Sequence, residues 1–215
     1  MGEVAGRLAG MLPRDTAIVH VSGALPLAAL SGAADGGRLT GSFHPFQSFP
    51  VERAPEAFTG SLIAIDASNE VFAEQLTRLA RDLGGIPRRV PDGERALYHV
   101  AAVLSSNLVI GLVGSAASVL ESIGWSRAEA LAALLPLQAG VISNIRAEGL
   151  EAALIGPIRR GDAAAVRRHL AALEAAGLEE IVRIYRILGV ATLDLAIATG
   201  LDPVEGEQIR MALTG

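Results

Sequence analysis

The segment "PDGERALYHVAAVLSSNLVIGLVGSAASVL", Pro91–Leu120, is where the chain changes character. Before it, short β-branched runs alternate with helical patterns. After it, only helical periodicity remains. From Ala96 to Leu120 no side chain carries a formal charge, and the stretch reads as one long helix. Its length meets the requirement for a membrane span. Tyr98, His99, Asn107 and the serines argue against one, because polar groups at that density are costly in hydrocarbon. Gly111, Gly114, Ser115 and Ser118 let another helix approach closely in either solvent. The segment is therefore expected to be a buried central helix, with no membrane partner. The division falls near residue 92: an α/β part over 1–91 and an all-helical part over 92–215.

Upstream, "TAIVHVSG" (Thr16–Gly23), "GRLTGSFHP" (Gly37–Pro45), "SLIAIDAS" (Ser61–Ser68) and "IPRRVP" (Ile86–Pro91) read as strands, so a sheet of about four. Glu3–Leu12 reads as a short helix. "ALPLAALSG" reads as a short helix or turn. Ser68 or Asn69 caps the helical run "EVFAEQLTRLARDLGG", which ends at Gly84–Gly85. A strand at Ile18–Val21 at the sheet margin would leave an exposed edge, which a second chain or the N-terminal helix is expected to cover. Downstream, "SRAEALAALLPLQAGVISNIRAEG" is helical with a kink expected at Pro136, and further helices follow to a tail starting at Asp202–Pro203. Helices bounded by glycine in this way make a bundle.

Composition narrows the function classes. Of 215 residues, 51 % are hydrophobic and the mean hydropathy is +0.42, high enough to imply a large helical core and a buried subunit interface. The net charge of −5 argues against a nucleic-acid partner. There is no cysteine, which excludes thiol chemistry and Cys-ligated metals. There is no lysine either, so every fixed cation is arginine and no Schiff base can form. The four histidines have no paired spacing and no carboxylate cluster, so no metal site is expected. The opening "MGEVAGRLAGML" is amphipathic rather than a secretory leader, and a cytoplasmic protein is the expectation.

Several polar residues stand where chemistry is possible. "VSGA" (Val21–Ala24) ends a strand and places Ser22 and a free backbone N–H at the carboxyl edge of a sheet, where α/β ligands bind; it is equally a plain turn. His44 ends a second strand before Pro45, so its imidazole stands at the sheet edge as a candidate acid or base, or is satisfied within a rigid loop. Along the long helix, Ala96, Val100, Val103, Asn107, Gly111 and Gly114 form one stripe, and His99, Val103, Ser106 and Ile110 the next. Asn107 either ties two helices together or faces a polar pocket. In "GPIRRGD" (Gly156–Asp162), Asp162 suits a helix N-cap, while Arg159 or Arg160 could take an anionic group. No Gly-x-Gly-x-x-Gly turn is present; "GLVGSAA" lies inside a helix.

Taken together, "VHVSGA", "GSFHPFQSF", "LARDLGG", "ALYHVAAVLSSN", "LLPL" and "GPIRRGD", in this order, make the chain resemble the Rossmann-like DUF2520 family of the 6-phosphogluconate dehydrogenase-like superfamily. The resemblance implies a Rossmann-type sheet followed by a helical dimerisation bundle. It implies an oxidoreductase using NADP or NAD on a small carbonyl or imine compound. The family's glycine-rich nucleotide-binding half has no counterpart here, so the alternative is a non-catalytic ligand-binding or dimerisation module that has lost its cofactor. The implied pocket has "GSFHPFQSF" as one wall and Tyr98–Asn107 as the other. His44 or His99 would handle the proton, and Asn107 would orient the carbonyl. Ser22, Gly23, Gln47, Tyr98, Ser106, Arg159 and Arg160 would bind substrate, and Ser22 and Ala24 the cofactor. The sequence departs from the family and superfamily patterns at Val103, four residues before Asn107, and at Arg95, where lysines are usual, and at Ile155, where threonine is usual.

Overall fold

The computed structural model describes residues 1–34, 37–49 and 54–215. Two compact units are present, Met1–Val109 and Ile110–Gly215.

The first unit is built on a four-stranded mixed sheet. In chain order its elements are α1 (Gly2–Met11), β1 (Ile18–His20), α2 (Ser31–Ala34), β2 (Thr40–Pro45), β3 (Leu62–Ala67), α3 (Glu70–Asp82), β4 (Ile86–Arg89) and α4 (Arg95–Ser105). The strands lie in the order β1-β2-β3-β4, with β1 parallel to β2, β2 antiparallel to β3, and β3 parallel to β4.

Register decides what each face carries, because successive side chains alternate between faces. Phe43, Ile63 and Ile65 share one face and pack against Phe72, Leu76 and Ala80 of α3. Those three helical positions are four residues apart or a multiple of it, one stripe of the helix. Asn69 starts α3, its side-chain oxygen accepting the Phe72 N–H at 2.9 Å. Asn69→Ala is expected to cost about 1 kcal/mol, read as a lower urea midpoint at unchanged slope.

The opposite face carries His20, Ser42 and His44. His20 is paired in register with Ser42, and His44 is two residues further along β2. At the β1 end this face is covered by Ala5, Leu30 and Ala33, packed on Ile18. The N-terminal helix therefore covers a face of β1, while the outer edge of that strand has no ladder partner among the described residues. The buried Arg38 fastens the end of α1, its guanidinium donating to the carbonyl oxygens of Ala9, Leu12, Pro13 and Thr16.

The long uncharged helix is not continuous. α4 ends at Ser105 and α5 (Asn107–Ser122) begins two residues later. Ser106, at φ −132° and ψ −79°, lies outside helical space. Its hydroxyl donates to the Ala102 carbonyl at 2.6 Å and to Asn107 Oδ1 at 3.0 Å. A hydroxyl bonded to the helix's own carbonyl weakens the backbone ladder and can bend a helix, and here it accompanies the break, although Ser115 and Ser118 make the same bond inside the unbroken α5. The expected burial of this segment also fails within the chain: Leu97, Val100, Leu104, Leu108 and Ile110 are each more than half exposed.

The second unit holds most of α5, then α6 (Arg127–Glu148), α7 (Ala163–Ala175), α8 (Glu179–Ala198) and α9 (Pro203–Thr214). Its core is Val166 and Leu170 from α7, Leu193 from α8, and Ile209 and Leu213 from α9. α6 runs through Pro136 and opens with a reciprocal cap between Ser126 and Glu129. Leu135, Leu137 and Ile142 on α6 are more than half exposed. The segments Asp92–Ser122 and Arg127–Glu148 are long and apolar enough to cross a membrane by length and composition.

Candidate functional site

Three histidines, a tyrosine and an arginine meet where α4 covers the polar face of the sheet. His44, at the end of β2, faces Tyr98 of α4. Its Nδ1 lies 2.8 Å from the Tyr98 hydroxyl and the rings meet edge-on at 5.6 Å. His99, the next residue on α4, presents its ring 6.4 Å from that of His44. Phe46 packs on the other side of Tyr98, with centroids 5.1 Å apart.

Gly23 lies against both imidazoles. A Cβ built there would stand 2.7 Å from His44 Cε1, 2.8 Å from His44 Nε2 and 2.8 Å from His99 Cδ2. Its role is space, since its φ is not positive. The turn around it is held by Ser22, whose hydroxyl accepts the Leu25 N–H and whose N–H is donated to His20 Nδ1, both at 3.2 Å.

Burial sets the protonation states. The His44 pKa is lowered, first by desolvation and then by the nearby charges of His99, Arg95 and His20. His20 is lowered by burial and by Arg95, while the Pro26 carbonyl and Asp92 oppose this. The Tyr98 phenol is pushed up to about 12 by burial, with Arg95 acting the other way. At neutral pH the phenol is protonated and the imidazole is the better acceptor. Tyr98 therefore donates to His44 Nδ1, which leaves the His44 proton on Nε2, the nitrogen beside Gly23.

A pH effect follows. A histidine whose folded pKa lies below its ordinary 6.5 binds its proton more readily in the unfolded chain. The stability from neutral His20 and His44 is thus complete above about pH 6.5 and lost as pH falls from there toward the folded values. Thermal melts are expected to show the midpoint falling below about pH 6.5. In His44→Gln that slope should be shallower.

Not every expected residue joins the cluster. Gln47 spans its own loop, donating to Ser61 Oγ at 3.4 Å and accepting the Ser48 N–H at 2.9 Å. Ala24 is exposed beside Gly23. Ser106 and Asn107 bond to each other at the α4–α5 break, and Asn107 is exposed. Arg159 and Arg160 belong to the helical unit, where Arg159 donates to the Thr199 carbonyl at 3.3 Å and Asp162 caps α7. Three residues of the cluster lie outside the expected set: His20, Ser42 and Arg95. Arg95 has a local signal, since it precedes Tyr98 and His99 by three and four positions, one turn on the same helical face. His20 and Ser42 meet only through the β1–β2 register.

An apolar cavity of about 650 Å³ lies elsewhere, in the helical unit between α5, α7 and α8. Leu112, Val119, Leu173, Ile181 and Leu188 help to wall it. Its one polar pair is His169 Nδ1 with the Tyr185 hydroxyl, 2.9 Å apart. It offers volume and one such pair, whereas the cluster on the sheet brings three histidines, a tyrosine and a buried arginine together.

Residues 61–192 match the family model described as Domain of unknown function (DUF2520). Among solved structures, a Bacteroides fragilis protein provisionally named an NADP oxidoreductase superposes with a TM-score of 0.72 at 22 % identity, over 92 % of this chain and 70 % of that one. Protein TM1727 of Thermotoga maritima gives 0.68 at 26 % identity, over 90 % of this chain and 74 % of that one. The Plasmodium falciparum pyrroline carboxylate reductase, crystallised with NADP bound, gives 0.54 at 11 % identity, over 99 % of this chain and 76 % of that one. These likenesses establish a Rossmann-like fold with an added helical part. No curated protein matches the sequence.

Proposed function

The chain belongs to the DUF2520 family, and from that premise we propose that it forms the substrate-facing, proton-handling part of an oxidoreductase that uses NADP or NAD on a small carbonyl or imine compound. The observation that carries this reading is the His44–Tyr98 pair at 2.8 Å, half-buried beside His99 and Gly23. A neutral imidazole with its proton on Nε2 can donate a hydrogen bond to, and so polarise, the oxygen or nitrogen of a substrate that is being reduced; it passes the proton on only as the Tyr98 hydroxyl gives its own to Nδ1, so that the ring stays neutral. The Tyr98 hydroxyl, bonded at Nδ1, holds the ring in the tautomer that does so. Structures named for NADP oxidoreductase and pyrroline carboxylate reductase chemistry share the fold, which supports the same class.

A dinucleotide would supply the hydride, but the residues present do not cradle its pyrophosphate. The turn after β1 is Val21-Ser22-Gly23-Ala24, and its one glycine is occupied by the imidazoles of His44 and His99. The same observation favours a second reading, a ligand-binding module without catalysis. Titration of the protein with NADPH by fluorescence, followed by turnover of a panel of small ketones and cyclic imines, separates the two. Saturable NADPH binding with turnover supports the enzyme. A ligand that binds without turnover supports the module.

We also propose a cytoplasmic homodimer formed through the helical unit. The exposed leucines and isoleucines of α5 and α6 and the apolar cavity beside α5 would be covered by a second copy. Light scattering in detergent-free buffer should give twice the chain mass; a monomer, or a need for detergent, would count against this.

A further inference from the structure

Among its described residues the first unit holds two buried arginines in opposite states. Arg38 gives its protons to four backbone carbonyls. Arg95 is 1 % exposed, and none of its three guanidinium nitrogens has a hydrogen-bond partner among the described residues. Its nearest acid is Asp92, with Oδ1 3.4 Å from Nε, inside ion-pair range but without a hydrogen bond. That oxygen already accepts the Leu27 N–H at 2.7 Å. An uncompensated buried guanidinium is among the costliest features a fold can carry.

The orphaned groups around it are of one kind. Ser42 Oγ and His20 Nε2 are also buried without partners among the described residues. Because His20 Nδ1 accepts the Ser22 N–H, the proton of the neutral ring sits on Nε2. The Pro26 carbonyl is near this ring but does not meet hydrogen-bond geometry. Guanidinium, imidazole N–H and hydroxyl are all able to donate, so what is missing is an acceptor. His20 and Ser42 are register neighbours on the face that carries His44. Arg95 lies one helical turn before Tyr98 and His99, whose rings meet His44. Among the described residues, the other titratable groups that act on these side chains are Asp92, His44, His99 and Tyr98.

We propose that Arg95, with Ser42 and His20, is the pocket for the carboxylate of the substrate, which makes the substrate a small organic acid bearing the reducible carbonyl or imine. This names the substrate class for the site above and rests on that reading for the reducible group, though not for the acid. Asp92 stands on the Nε side, leaving the end-on Nη1–Nη2 fork, whose geometry matches a carboxylate's two oxygens. One fixed cation, partly offset by Asp92, suits a single negative charge better than a phosphate dianion. Arg95 is enclosed, while the His99 ring is only half-buried and has no hydrogen-bond partner among the described residues, so the acid reaches Arg95 by displacing that ring.

The test needs neither cofactor nor turnover. The whole protein is titrated with pyruvate and cyclopentanecarboxylate, with their neutral amides, and with inorganic phosphate, following the histidine ring signals by NMR and the melting temperature. Both acids should shift the His20 and His44 signals saturably and raise the melting temperature. The amides and phosphate should bind at least about 30-fold more weakly. Arg95→Met should melt higher than wild type without ligand and lose the response to acids by about 30-fold or more. Should that variant misfold, the Arg95 Nε–H signal of the wild type replaces it as the readout, and it should move with acid but not with amide. Equal binding of acids and amides, tighter binding of phosphate, or an undiminished acid response in Arg95→Met overturns the proposal. Acid binding with no turnover of any substrate would sink the oxidoreductase reading and leave this pocket standing. Turnover of uncharged ketones that Arg95→Met does not alter would do the reverse.

Discussion

Gly23→Ala is expected to give a folded protein that has lost about 100-fold in turnover, or in ligand affinity where no turnover is found. The new methyl would stand 2.7–2.8 Å from atoms of two imidazoles, well inside contact distance. His44 cannot simply swing aside, because its Nδ1 is bonded to Tyr98 and its backbone lies in the β2–β3 ladder. Both rings must therefore shift by a sizeable fraction of an ångström. Overpacking of this kind costs about 1–3 kcal/mol, which the fold should survive. A misplacement of about 1 Å at reacting groups costs a further factor of about 100. Gly10→Ala is the control, since a Cβ there meets nothing within 4 Å. Ligand titration and histidine NMR on both variants check the expectation; unchanged His44 and His99 signals in Gly23→Ala would refute it.

The largest loss of stability is expected at Ile63. It is fully buried at the centre of the sheet, within the cluster that includes Phe43, Phe72, Leu76 and Ala80. Ile63→Ala should cost about 2–5 kcal/mol, the range for emptying such a position. Its neighbour Gly85 adds a sharper expectation. A Cβ on Gly85 would fall 2.5 Å from Ile63 Cδ1 and 3.2 Å from the Ala80 carbonyl, so Gly85→Ala alone is also destabilising. In the double variant the clashing atom is gone and the new methyl enters the vacated space. The two losses should then fall short of their sum by about 0.5–3 kcal/mol. Urea unfolding followed by far-UV circular dichroism is the suitable probe. The single tryptophan, Trp125, belongs to the other unit, and its fluorescence would miss the event. Strict additivity would show that Gly85 does not make room for Ile63.

Much of the local architecture is legible in the residues. The β-branched run around Ile18–His20 and the alternating run at Leu62–Ala67 form strands. Asn69 caps α3 and Asp162 caps α7. Each signal acts over a few residues, through a side chain bonded three positions on or an alternation between faces. The break at Ser106 is hidden by the absence of charge, which suggests one continuous helix. The break falls in the run Ser105-Ser106-Asn107, where the side chains of Ser106 and Asn107 bond to each other.

Of the candidate site, His44 at a strand end and His99 on a helical face are legible along one segment, whereas Tyr98 and Gly23 entered through the family resemblance. The sequence by itself determined most of the elements, the caps at Asn69 and Asp162, and the identity of the donors and acceptors. Only the tertiary structure decided that His20 lies beside Ser42, that Arg95 is enclosed without a hydrogen-bond partner, and that two imidazoles rest on Gly23. Those facts depend on strand register and on the packing of α4 over the sheet. Both are set by contacts far apart in the chain, and no window of sequence contains them.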